Sequence, residues 1–158
     1  MNSLMSQFSD LLDQTHAVRD ELWGVLNDGA LRHSLGGNSL TLGGLCKEMG
    51  EIEYAYAQSF KTFKQDFAYR NPEAGLDASV DKLRAWFQAV DADLSAALKA
   101  LPEEAVQTQM IDRGGWEMPV PTNFHCYREA LLMFMAKASV YLKSLRIQPP
   151  EQFDAWVG

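Results

Sequence analysis

The sequence predicts an all-α protein built as a four-helix bundle. Four segments carry apolar residues at alternating gaps of three and four, which places each set on one side of a helix. Loops rich in Gly, Pro, Asn and Ser separate these segments. A repeat close to 3.5 residues is typical of helices that pack at a crossing angle of about 20°. We therefore expect the four apolar sides to face one another around one core.

The first two predicted helices each start at a capping residue. Ser3 is a suitable N-cap for the first helix, and Asn27-Asp28-Gly29 is a suitable stop. Thr41 caps the second helix, which we expect to extend to about Asp66. The apolar side of the first helix consists of Leu4, Phe8, Leu11, Thr15, Val18, Leu22 and Val25. That of the second consists of Leu42, Leu45, Met49, Ile52, Tyr56 and Phe63.

A row of small residues lies beside the main apolar side of the second helix. It contains Gly43, Cys46, Gly50 and Ala57. Small side chains let another helix approach closely, either within the bundle or across a dimer interface. We expect a homodimer with this helix near the interface.

The third and fourth helices are separated by a stretch with a different character. The third begins after Asp77 or Ser79 and ends before Pro102, and its apolar side is Val80, Leu83, Phe87, Val90, Leu94, Ala97 and Leu101. Residues 107–120 allow a short two-stranded hairpin around Arg113-Gly114-Gly115. The fourth helix is expected over Thr122–Leu145. Its apolar side is Phe124, Tyr127, Leu131, Phe134, Ala138, Tyr141 and Leu145.

The ends of the fourth helix and the tail complete the expected fold. Pro119 and Pro121 precede that helix, and Pro149-Pro150 follow it. Phe153 and Trp156 are three residues apart, so a single helical turn is expected to fold back onto the body. The 158 residues are expected to form one domain, 1–158.

Composition argues against several classes of function. The 14 Lys and Arg are outnumbered by 21 Asp and Glu, for a net charge of -7, which argues against nucleic-acid binding. No apolar run is long enough for a membrane span, and the N-terminus lacks the pattern of a signal peptide. Cys46 and Cys126 are interpreted as reduced thiols. We expect a cytoplasmic protein.

Two motifs resemble the DinB-like (DNA-damage-inducible) superfamily. The end of the fourth helix, VYLKSLRIQPP, is similar to that family's closing run, and SLTLGGLCKEM is similar to the opening of its second helix. The resemblance implies a four-helix bundle with up-down-down-up topology, which the long second loop suits. It also implies a divalent metal held by one histidine of the second helix and two histidines, one turn apart, of the last helix. Some members use the metal in hydrolysis or thiol transfer.

The sequence departs from the family at all three ligand positions. The histidine of the second helix corresponds to Glu48, and the pair on the last helix corresponds to Ala130 and Phe134. Ala and Phe have no donor atoms, and one carboxylate does not hold a transition metal. We therefore expect no metal and no cofactor.

The leading hypothesis is a binding or structural protein rather than an enzyme. The former metal position would be a pocket for a small apolar ligand, lined by Glu48, Glu51, Ala130, Met133 and Phe134. The alternative is a metal-dependent hydrolase or thiol transferase that uses Glu48, Glu51 and His125.

A third hypothesis is a redox protein that works through Cys46 or Cys126. The other two histidines, His16 and His33, have no partner that can be identified from sequence.

Overall fold

The chain is mostly helical, with one small two-stranded sheet. The computed structural model describes all residues, 1–158. In chain order the helices are α1 (Ser3–Asp20), α2 (Leu22–Val25), α3 (Asp28–Leu31), α4 (Leu42–Thr62), α5 (Val80–Ala100), α6 (Glu103–Thr108), α7 (Val120–Ser144) and α8 (Glu151–Val157). A 3-10 turn over Leu76–Ala78 precedes α5, and strands β1 (Met110–Asp112) and β2 (Glu117–Pro119) precede α7. The all-α prediction is therefore confirmed.

The first predicted helix is broken into pieces and starts earlier than expected. Asn2, not Ser3, is the N-cap: its side chain accepts a hydrogen bond from the Met5 backbone N–H at 3.0 Å. Glu21 separates α1 from α2, and α3 occupies part of the predicted stop and loop. The Asn2 amide also donates to the carbonyls of Leu98 and Leu101, which fixes the start of α1 against the end of α5.

The caps of α4 and α5 agree with the prediction, whereas the end of α4 does not. The Thr41 hydroxyl accepts from the Gly44 N–H at 3.0 Å, and the Ser79 side chain accepts from Lys82 N–H. The predicted end near Asp66 is wrong, because α4 stops at Thr62 and Phe63 turns left-handed with φ 57°.

The predicted hairpin is present and is attached to the end of α4. Ile111 pairs with Met118, and Gly114 and Gly115 make the turn with φ of 79° and 114°. The backbone carbonyl of Asp112 accepts from Gln65 N–H at 2.8 Å. This attachment supplies partners that an isolated hairpin would lack.

α7 begins two residues earlier than predicted and carries the most continuous part of the core. Pro121 lies in its first turn, where a proline has no N–H to leave unpaired. Phe124, Tyr127 and Leu131 are buried along it, as is Phe153 of α8, which confirms the expected docking of the tail.

The four long helices pack around one core. α4 packs on α5 and α7, and α1 packs on α7 and α5, so α1 and α4 lie opposite each other. On the α1–α7 side, the rings of Phe8 and Phe124 lie 5.8 Å apart. On the α4–α7 side, the amide of Asn123 donates to the Ser59 hydroxyl at 3.0 Å. No helix combines the length and apolar character needed to cross a membrane.

The row of small residues on α4 packs inside the chain. A Cβ atom on Gly50 would meet Cζ3 of Trp86 on α5 at 2.5 Å, and one on Gly43 would overlap the backbone carbonyl of Asp77. Ala57 is also fully buried. The expectation that this face borders a dimer interface is therefore wrong, because α5 and the 3-10 turn fill it.

Phe134 provides a test of how tightly the core is packed beside α4. Its side chain is 2% exposed and its ring stacks 6.5 Å from that of Phe87. Phe134→Ala is expected to lower the free energy of unfolding by about 3 kcal/mol, through lost burial and an enlarged cavity. The neighbouring Met133 is 59% exposed. Met133→Ala, the matched control, is expected to lose less than about 1 kcal/mol in the same urea titration. Equal losses in the two variants would contradict this packing.

Candidate functional site

Four of the five residues predicted to form a pocket meet between α4 and α7. Glu48 of α4 and Ala130, Met133 and Phe134 of α7 line one cavity of about 80 Å³. Lys137 lies on the same wall, one turn beyond Met133. The remaining contacts of this cavity are apolar side chains of α4.

Glu51 lies apart from that cavity. It borders a separate groove of about 500 Å³, together with Glu48 and Arg70. One oxygen of Glu51 accepts a hydrogen bond from the Asn71 backbone N–H at 3.0 Å, and the other lies 3.8 Å from Arg70 Nε. Glu51 therefore holds the loop after α4 in place.

A third groove, also lined mainly by apolar residues, adjoins the first two. It has a volume of about 300 Å³, and five of its seven lining residues are hydrophobic. Leu35, Leu40 and Val140 leave 43%, 46% and 53% of their surface exposed beside it. Glu48 belongs to the walls of all three cavities.

His125 does not join Glu48 and Glu51. It precedes Phe134 by nine residues on α7, which is about 13 Å along a helix axis. Its ring instead packs edge-on against Phe8 at 4.9 Å. The structure therefore separates His125 from Glu48 and Glu51, which line one groove.

Cys46 does not lie in an arrangement that activates a thiol. Both cysteines are free, and Cys46 is fully buried. Burial raises the pKa of the Cys46 thiol to about 12, which disfavours the reactive thiolate.

A second constellation, which the sequence did not reveal, lies at the centre of the four long helices. Arg19 of α1 is completely buried. Its Nη1 donates to Asp91 Oδ1 of α5 at 2.9 Å and to Glu53 Oε2 of α4 at 3.2 Å, while Nη2 donates to Asp91 Oδ2 at 2.6 Å. Nε and Nη2 also donate to Asp20, and the guanidinium stands 4.7 Å from the Phe87 ring centre. All the nitrogens of Arg19 are thus engaged.

His16 and Tyr127 extend this constellation to α7. His16 Nδ1 lies 3.2 Å from Asp91 Oδ1, and His16 Nε2 lies 2.7 Å from the Tyr127 hydroxyl. A neutral imidazole with its proton on Nδ1 satisfies both contacts, by donating to Asp91 and accepting from Tyr127. Burial lowers the pKa of His16 to about 4, and the charge of Arg19 acts in the same direction.

Glu53 and Asp91 respond differently to the same surroundings. Burial raises the pKa of Glu53 well above its ordinary value, against the opposing effect of Arg19. Burial also disfavours the charge on Asp91, but the hydrogen bonds and charge of Arg19 outweigh it and hold the pKa of Asp91 below its ordinary value. Two carboxyl groups that share one guanidinium thus have pKa values displaced in opposite directions.

This constellation does not suit a metal ion, although the distances between its possible ligand atoms are short enough for one. His16, Glu53 and Asp91 each offer one atom within 4.8 Å of the others. Arg19 already supplies a positive charge between the two carboxylates, at 2.9 and 3.2 Å. A divalent cation there would face a fixed guanidinium and the repulsion between like charges.

One sequence signal could have pointed to Glu53. It occupies the gap between Gly50 and Ala57 in the row of small residues on α4, and so must face a neighbouring helix. Arg19 follows Thr15 by one turn on the first apolar side, and Asp91 follows Phe87 by one turn on the third. A charged residue at each of these positions is typical of a buried ion pair.

Comparison with known proteins adds no relative. The chain matches no protein-family model, no curated protein and no solved structure.

The buried state of His16 predicts a pH dependence with a defined sign. Its pKa falls from 6.5 to about 4 on folding, so its contribution to stability is present above pH 6.5 and is lost as the pH falls toward about 4. Over part of this range Glu53 changes stability in the opposite direction. The quantity to measure is therefore the difference in the free energy of unfolding between wild type and His16→Gln. We expect this difference, in favour of wild type, to decrease by about 3 kcal/mol as the pH falls from 6.5 to about 4. Chemical denaturation at each pH measures it, and a difference independent of pH would contradict the assignment.

Proposed function

We propose that the chain is a DinB-like four-helix bundle that has lost the family's metal site and binds a small apolar ligand in the groove beside Glu48. The main support is that Glu48 lines three adjacent cavities. One of them is lined mostly by apolar side chains, several of which are exposed. Catalysis is not part of the proposal.

The helix directions support the up-down-down-up topology. Along α4 and α5 the contacts advance together, from Gly50 with Trp86 to Lys61 with Asp93. α1 and α7 also run in the same direction, since Phe8 contacts Phe124 and Thr15 accepts a hydrogen bond from Arg128.

Contacts between α4 and α7 run in the opposite sense. Tyr56 contacts Tyr127, and the later Ser59 contacts the earlier Asn123. Two parallel pairs arranged antiparallel to each other are the arrangement that the resemblance implies.

The three positions that correspond to the family's metal ligands support the same alignment of the chain with the family pattern. Glu48, Ala130 and Phe134 line one small cavity, as three ligands to a single ion would have to. The methyl group of Ala130 and the ring of Phe134 offer no lone pair. The residues present therefore do not fit the metal, and we derive no reaction through it.

The adjoining groove supports binding of a small molecule. Its volume of about 300 Å³ lies at the lower end of known ligand pockets, and a mainly apolar lining with few polar groups is typical of them. The polar groups here are Glu48, Lys137 and Tyr141. The Tyr141 hydroxyl is already engaged, because it donates to the Leu40 carbonyl at 2.6 Å. The ligand class that fits is an apolar body with one polar end near Glu48 and Lys137.

A pair of matched substitutions tests the groove. Val140→Glu introduces a charge on its apolar wall, and Met110→Glu does the same at an exposed site on β1, outside the groove. The probe is anilinonaphthalene sulfonate, an apolar dye with one charged group, followed by its fluorescence. Val140→Glu is expected to weaken binding of the dye about tenfold or more, and Met110→Glu to leave it unchanged.

Two results would contradict the proposal. One is equal binding of the dye by wild type and Val140→Glu. The other is a wild-type dimer, detected by light scattering, that Val140→Glu but not Met110→Glu converts to monomer. In that case the groove is covered by a second copy of the chain and not by a small ligand.

A further inference from the structure

The central constellation has an imbalance of charge that the hydrogen bonds do not resolve. Arg19 is its one permanent positive charge, since burial keeps His16 neutral at ordinary pH. Three carboxyl groups surround that charge, those of Asp20, Glu53 and Asp91. Asp20 is 38% exposed, so water stabilises its charge, but the side chain of Glu53 is 0% exposed. A second buried negative charge beside Asp91 would be costly.

The geometry shows which carboxyl group receives the least support. Asp91 accepts from two nitrogens of Arg19, at 2.9 and 2.6 Å, and faces His16 Nδ1 at 3.2 Å. Glu53 accepts a single hydrogen bond, through Oε2 at 3.2 Å. No donor reaches its other oxygen, Oε1, which is completely buried. A buried carboxylate oxygen without a donor loses its hydration with nothing to replace it.

A proton on Glu53 would resolve both features. One oxygen of Glu53 and one oxygen of Asp91 lie within 4.8 Å of each other. Two carboxylates cannot hydrogen-bond to each other, whereas a carboxylic acid donates to a carboxylate. The proton removes the surplus charge, and a neutral acid loses less on burial without a donor than a carboxylate does.

We propose that Glu53 is a proton-binding site: at neutral pH it is a carboxylic acid whose proton faces Asp91, and release of this proton places a second negative charge beside Asp91 and weakens the contact between α4 and α5. The titratable and charged groups that face it are His16, Arg19 and Asp20 from α1, Asp91 from α5 and Tyr127 from α7. The protein is thereby sensitive to rising pH at the point where its four long helices meet.

The sign of the effect follows from proton linkage. The native state holds a proton that the unfolded chain releases near pH 4.5, so this group's contribution to stability falls as the pH rises toward the folded pKa. Between about pH 6.5 and pH 8, His16 and the Cys46 thiol still change protonation in the unfolded chain, but these changes are common to wild type and to a variant of Glu53. A comparison of the two proteins over this window therefore isolates Glu53.

Glu53→Gln is the direct test, because an amide keeps the size of the acid, accepts from Arg19 and donates to Asp91. Across this window we expect the folding equilibrium constant of wild type to fall relative to that of Glu53→Gln, about tenfold per pH unit while Glu53 remains protonated. Glu129→Gln, an exposed position on α7, is the matched control, and its folding equilibrium constant should change with pH in parallel with that of wild type. Parallel curves for wild type and Glu53→Gln would overturn the proposal.

Infrared spectroscopy of the folded wild type gives a second readout if Glu53→Gln does not fold. At neutral pH we expect the carbonyl stretch of a protonated carboxylic acid, retained in Glu129→Gln and lost on raising the pH. Absence of that band from wild type at neutral pH would overturn the proposal.

Discussion

The arrangement of the helices depends on the buried guanidinium of Arg19. α1 and α4 lie opposite each other across the core, and Arg19 reaches from one to Glu53 of the other while binding Asp91 of α5. The face of the same guanidinium covers Phe87. Because a buried charge is tolerated only where its partners are placed correctly, these contacts restrict how the helices can be registered against one another.

The apolar core around this constellation was largely predictable. Leu83, Phe87 and Leu94 are buried as the three-and-four spacing indicated, because helical periodicity alone determines which side of a helix can face a core. Boundaries were less predictable. Asn2 displaced Ser3 as a cap because its amide also bonds to carbonyls at the end of α5, a partner about a hundred residues away.

The two candidate sites differ in how far sequence could reveal them. One motif pattern predicts that Glu48, Ala130 and Phe134 lie together, and they do line one cavity. Only residue type connects Glu51 and His125 with them, and each contacts a different neighbour. The central constellation draws Arg19, Glu53, Asp91 and Tyr127 from four separate helices, so no local spacing connects them. The one signal in the sequence is Glu53 itself, a charged residue within the row of small residues on α4.

The measurement that tests this account most directly is the stability of Arg19→Met compared with the triple variant Arg19→Met, Glu53→Met, Asp91→Leu, by urea unfolding at neutral pH. If the guanidinium sustains the buried carboxyl groups, the single variant should lose about 3–5 kcal/mol. The triple variant should regain most of that loss, because apolar side chains of similar volume leave no buried charge without a partner. A single variant that loses less than about 1 kcal/mol, or a triple variant no more stable than the single one, would contradict the central role of Arg19.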